Sequence, residues 1–109
     1  GVAYSKKGML NAARDVIIEG LKRNPNDFNA LTNLGAIYEQ GGNPEKAVEL
    51  LQKVVKVDKN NSRAFYNLGV ALEKVGKHKE AADAYEKAAE LNYVKKEEAL
   101  RRARVLRNS

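Results

Sequence analysis

The strongest constraint on this chain is that it repeats itself. Asn33-Leu34-Gly35, in "NALTNLGAIYEQGGNPEKAVELLQKVV", returns 34 residues later as Asn67-Leu68-Gly69 in "AFYNLGVALEKVGKHKEAADAYEKAA". The register reaches back to the first residue. Gly1, Gly35 and Gly69 form one column, and Gly8, Gly42 and Gly76 a second. Ala13, Ala47 and Ala81 form a third, and the large apolar residues Ile17, Leu51 and Tyr85 a fourth. Tyr4 and Tyr38 share a fifth, which Leu72 occupies in the last copy. A fixed period of this size, about 20–50 residues, marks a stack of small structural units, none of which buries its apolar face alone.

Each copy divides into two helices. Leu31, Leu34, Gly35 and Tyr38 stand at i, i+3, i+4, i+7, and Ala47, Leu50, Leu51 and Val54 repeat the pattern. Between them lies "GGNP", where Gly42 suits a left-handed helix end, Asn43 an N-cap and Pro44 the first helical position. The third copy reads alike, with Phe65, Leu68, Gly69 and Leu72, a turn at Gly76, then Ala81, Ala84, Tyr85 and Ala88. The first copy is expected to turn at Gly8. "NPND" (24–27) and "KNNS" (59–62) join successive units. Gly35 and Gly69 fall in helix interiors, where Gly costs about 1 kcal/mol against Ala. Close approach of the partner helix explains them, with Ala47 and Ala81 expected to face them.

These features resemble the tetratricopeptide repeat: a 34-residue helix–turn–helix with Leu-Gly, an aromatic three residues on, and Ala followed four residues later by a large apolar side chain. The departures are Leu31 and Phe65 for the leading Trp, and Lys59 and Tyr93 where only Pro25 keeps the late Pro. The resemblance implies an all-α, right-handed superhelical solenoid of antiparallel helix pairs, about 2.75 repeats over residues 1–93 (1–27 partial, 28–61 and 62–93). "KKEEALRRARVLR", with Ala99, Leu100, Ala103 and Leu106 on one face, then reads as a capping helix over 94–109. Gly1 falls inside a first helix in this register, which points to a longer solenoid. It also leaves Ala13, Val16 and Ile17 under-covered, so self-association through that end is expected.

The resemblance further implies that first helices line a concave groove and that the chain is a non-catalytic scaffold for an extended peptide or partner segment. The groove face then carries Asn29, Thr32, Asn33, Ala36, Glu39 and Gln40 from the second copy. Arg63, Tyr66, Asn67, Val70 and Lys74 come from the third, Lys6 from the first and Arg101 from the last helix. Asn33 and Asn67 are in register, and a primary amide both donates and accepts, so the pair can grip a peptide backbone or tie neighbouring helices. They resemble the asparagine ladder of some peptide-binding members. A carboxylate clamp fits poorly, because Val2 and Asn67 stand where its Asn and Arg would.

Composition narrows the chemistry. There is no Cys and one His, His78, so no thiolate, disulfide or zinc set can be assembled, and no cofactor or catalytic group is indicated. "GGNPEK" and "VGKHKE" lack the phosphate-loop spacing. No apolar run approaches the roughly 18 residues of a membrane span, which leans towards a soluble, cytoplasmic chain without fixing the compartment. The formal charge of +6 is uneven: residues 94–109 carry six Lys or Arg against two Glu. Lys95, Lys96, Arg101, Arg102, Arg104 and Arg107 thus offer an alternative surface for nucleic acid or an anionic partner, with a solvated helix face as the simpler reading. Glu97 with Arg101 and Glu98 with Arg102 are spaced to pair along that helix.

Overall fold

The computed structural model describes residues 2–108, with side chains over 8–108. Among these residues six α-helices follow one another without a strand: α1 (Val2–Arg23), α2 (Phe28–Gln40), α3 (Pro44–Val57), α4 (Ser62–Lys74), α5 (His78–Glu90) and α6 (Lys96–Arg107). Each helix packs on the next in the chain, and α2 also meets α4. The chain is therefore an all-α stack of helix pairs, with α6 closing the last pair.

Helix starts are set by the residues that satisfy free backbone N–H groups. Asp27 accepts from the Ala30 N–H at 3.1 Å, Asn43 from Lys46 at 3.4 Å and Asn61 from Ala64 at 3.0 Å. Pro44 follows its cap at the first helical position. Within pairs the chain reverses through a left-handed residue, Gly42 at φ 89° and Gly76 at φ 87°. The next N–H then closes the turn, Asn43 onto the Tyr38 carbonyl at 2.8 Å and Lys77 onto Leu72 at 2.9 Å. Asn92, at φ 61°, does the same between α5 and α6, where the Tyr93 N–H meets the Ala88 carbonyl at 3.1 Å.

The turn expected at Gly8 is absent, for α1 runs unbroken from Val2 to Arg23. Met9 and Leu10 occupy the columns of Asn43 and Pro44, so nothing there caps a new helix or interrupts the old one. The third copy turns without a side-chain cap at Lys77, but there a complete α4 packs back on α5. Tyr4, Lys6 and Val2 lie outside the described side chains.

The core runs through the repeat columns. Ala47, Leu51, Val54, Ala64, Ala71, Ala81, Tyr85, Ala88 and Ala99 are all fully buried. The helix-interior glycines do admit a close neighbour, but a different one from that expected. A Cβ on Gly35 would stand 2.6 Å from Leu51 Cγ, and one on Gly69 2.9 Å from the Tyr85 ring. The bulky column fills the glycine notch, while Ala47 and Ala81, one turn earlier, complete the buried interface beside it.

Candidate interaction groove

Ala36, Glu39 and Gln40 of α2, Tyr66, Asn67 and Val70 of α4, and Tyr93 and Lys95 of the α5–α6 turn enclose a hollow of about 240 Å³. Six residues expected on the groove face thus meet around one cavity. Asn29, Asn33 and Arg63 are exposed on the same helices but outside it, and the Arg63 guanidinium donates to the Asn29 carbonyl at 3.5 Å. Arg101 lines an adjoining hollow of about 440 Å³ with Val94, Lys95, Lys96, Glu97 and Glu98. Lys6 is outside the described side chains.

Thr32, Tyr66, Lys74 and Glu39, all expected in the groove, are otherwise engaged, and Tyr66 is buried in the core against Tyr85 and Tyr93. Thr32 is completely buried. Its hydroxyl donates to the Phe28 carbonyl at 2.7 Å and accepts from the Asn61 amide at 3.4 Å, so it offers a ligand no surface. Lys74 pairs with Glu39 at 2.5 Å, which neutralises its charge.

The hollow exists because one junction departs from the repeat. Tyr66 stands in the column of Thr32, and Lys95 in that of Asn61. Between α2 and α4 the small Thr32 and the capping Asn61 bond to each other and close the seam. Between α4 and α6 no side chain caps the helix at Lys95, and the seam is aromatic. Tyr66 packs against Tyr93 with ring centroids 4.8 Å apart and edge-on against Tyr85 at 5.4 Å. Tyr93 and Lys95 were not among the residues expected in the groove. Their signal was visible only as Tyr93 standing in place of the late Pro, since a turn residue has no helical periodicity to read.

Apart from Glu97, the carboxylates on this side have partners among the described residues. Glu39 holds Lys74. Glu73 accepts from the Tyr85 hydroxyl at 2.9 Å and lies 3.8 Å from Arg102, which also bonds Glu98 at 3.2 Å. Burial, with the Glu73 hydrogen bond, pushes the Tyr85 phenol above its ordinary range, and burial does the same to Tyr66 and Tyr93. The Glu97–Arg101 pair does not form, so among the described residues Lys95 and Arg101 have no ion-pair partner. Nor does the amide of Asn33 or Asn67 make a side-chain hydrogen bond among the described residues.

The basic tail is partly neutralised as well. Arg107 bonds Asp83 at 2.6 Å and both Glu86 oxygens, the nearer at 2.7 Å, and its guanidinium holds the Glu86 carboxyl below the usual carboxylate range. With Arg102 also paired, the cations of α6 and its turn that have no ion-pair partner among the described residues are Lys95, Lys96, Arg101 and Arg104. His78 is exposed at the start of α5, and among the described residues no three His, Cys, Asp or Glu side chains converge on a metal position. No helix among them is long and apolar enough to cross a membrane.

Solved structures with this shape include MamA proteins and a tetratricopeptide domain. A MamA crystal structure is 34% identical at a TM-score of 0.70, over 86% of this chain and 51% of that one. MamA from Desulfovibrio magneticus RS-1 is 27% identical at 0.79, over 99% of this chain and 62% of that one. The chain therefore spans about half to three-fifths of these MamA chains. The first tetratricopeptide domain of Spaghetti (RPAP3), bound to the HSP90 peptide SRMEEVD, is 24% identical at 0.83, over 100% of this chain and 88% of that one, and shows the fold. No curated protein matches the chain by sequence. The family model described as the tetratricopeptide repeat protein 21 C-terminal ARM domain matches residues 26–100, and the chain belongs to that family of tetratricopeptide-like helical repeats.

Proposed function

We propose that this chain is a non-catalytic protein-interaction scaffold that holds an extended peptide segment across α2, α4 and the α5–α6 turn. The observation that carries the reading is the hollow between Ala36, Tyr66, Asn67, Val70 and Tyr93, with an unbonded amide on its wall. Apolar contacts from Ala36, Val70 and the Tyr rings, beside the amides of Asn67 and Gln40 that can donate and accept, suit a side chain of a ligand together with its backbone. Asn33 lies one repeat away with its amide also unbonded among the described residues, which supports a two-point grip better than a tie between helices. The repeat-protein neighbours support an interaction scaffold in general terms.

The test is a screen of extended peptides on the wild type, then titration of the best binder against Asn33→Ala/Asn67→Ala. Binding weakens by about 0.5–1.5 kcal/mol for each neutral hydrogen bond lost, while the thermal melt stays in place. Unchanged binding removes the asparagine grip. A collapsed melt makes the two residues structural ties.

A further inference from the structure

On the far side of α4 from the groove, a furrow of about 360 Å³ lies between α3 and α5. Phe65, Leu68 and Leu72, spaced i, i+3, i+7 on the flank of α4 opposite Tyr66, Asn67 and Val70, form its floor with Ala84 of α5. Its rim is polar: Gln52 of α3, then Glu80, Asp83 and Lys87 of α5. It shares no residue with the groove and does not depend on the groove reading.

The repeat supplies an internal comparison. One unit earlier Leu34, Tyr38, Lys46, Glu49, Leu50 and Lys53 line a smaller hollow of about 150 Å³. Each stands 34 residues before a residue of the furrow, from Leu68 to Lys87. Two changes between the copies matter. Ala84 replaces Leu50, which removes a bulky side chain from the floor. Glu80 replaces Lys46, whose ammonium lies over the Tyr38 ring at 5.6 Å from its centroid. The furrow's rim therefore carries two carboxylates and one ammonium, where the earlier hollow carries the reverse. Asp83 is held by Arg107 at 2.6 Å, and Lys87 lies 3.8 Å from Glu90. Glu80 is exposed and has no side-chain partner among the described residues.

We infer that this furrow is a second docking surface, which takes a partner segment bearing one large apolar side chain flanked by Lys or Arg. The apolar group fills the space that Leu50 closes in the preceding unit, and the cation meets Glu80. Charge-assisted bonds from Lys and Arg to a carboxylate are the stronger kind, and complementary charge across an interface sets which partners are accepted. A segment with an acidic flank is repelled by Glu80, and one without the apolar side chain leaves the floor unfilled.

The experiment titrates the whole isotope-labelled chain with end-blocked peptides that differ only in a central triplet: Lys-Leu-Lys, Glu-Leu-Glu or Lys-Ala-Lys. Amide NMR is expected to place the Lys-Leu-Lys shifts on Gln52, Leu72, Glu80 and Ala84. That peptide should bind at least about tenfold tighter than either of the others, the scale of one charge-assisted hydrogen bond or one buried Leu side chain. Ala84→Leu and Glu80→Lys each install the residue that the preceding unit already accommodates. Ala84→Leu should remove the shifts, and Glu80→Lys should reverse the order of the Lys-Leu-Lys and Glu-Leu-Glu peptides, with unchanged circular-dichroism melts. Equal affinity for those two peptides, no binding, or shifts on Asn67 and Val70 instead would overturn the furrow. So would an order of affinities that Glu80→Lys leaves as it was, or shifts that a folded Ala84→Leu retains. Glu80 is exposed, so its variant decides the matter even if Ala84→Leu fails to fold.

Discussion

The Tyr85 ring lies over Gly69, so close that a methyl group at that position would stand 2.9 Å from two ring carbons. Both residues are fixed by the core: Tyr85 is fully buried, and its hydroxyl is held by Glu73. Gly35 and Leu51 make the same contact one repeat earlier. This notch-and-filler pair lets the two helices of a unit approach and leaves the outer faces of the first helices free for the groove.

Gly69→Ala should therefore destabilise the chain despite the better helix propensity of Ala. Overpacking costs about 1–3 kcal/mol, against a propensity gain of about 1 kcal/mol. Gly20 sits in α1, where an added Cβ would have no neighbour within 4 Å, so Gly20→Ala keeps the gain without the clash. Thermal melts of the two variants should shift in opposite directions. A stabilised Gly69→Ala would show that the ring moves aside without loss.

Tyr85 also sets an alkaline limit. Its folded pKa is raised by burial and by the bond to Glu73, so the neutral phenol is the form the fold accepts. Its contribution is complete below the unfolded value near 10.0 and falls away as pH rises above it. Tyr85→Phe should lower stability at neutral pH by about 1.5–3 kcal/mol, the scale of a hydrogen bond to a charged group. The same variant should lose less stability between neutral and strongly alkaline pH, though Tyr66 and Tyr93, also raised, keep part of the slope. Denaturant titrations across that range check both signs. An alkaline slope identical to the wild type would remove Tyr85 as its source.

Met9 and Val16 are both 71% exposed and stand seven residues apart on α1, the i, i+7 spacing of one helix face. Exposed apolar surface in such a row favours association with another copy. Light scattering over a concentration series should show a mass that rises with concentration and stays monomeric in Val16→Lys. A monomer at every concentration, in both proteins, would contradict it.

Much of this was legible because helical packing writes itself into spacing. The Leu-Gly columns give the paired helices, and Asn43-Pro44 gives a helix start that the structure repeats atom for atom. Gly8 shows the limit: a glycine in register turns the chain only when a cap follows or a full helix packs back. Thr32 shows another. A helical wheel places it on the groove face, but Asn61, from a different helix, covers it. Tyr93 and Lys95 lie in a turn, where no period exists, and they reach the site only because Asn92 reverses the chain there.

The central claim is that ligand sits in the hollow between α2, α4 and the α5–α6 turn. The most direct measurement is a two-dimensional amide NMR titration of the labelled chain with the best peptide from the screen. The account predicts that the largest shifts fall on Ala36, Asn67, Val70, Tyr93 and Lys95, and that Val70→Lys abolishes them while the remaining spectrum keeps its dispersion. Saturable shifts centred instead on α3 and α5, unaffected by Val70→Lys, would contradict it.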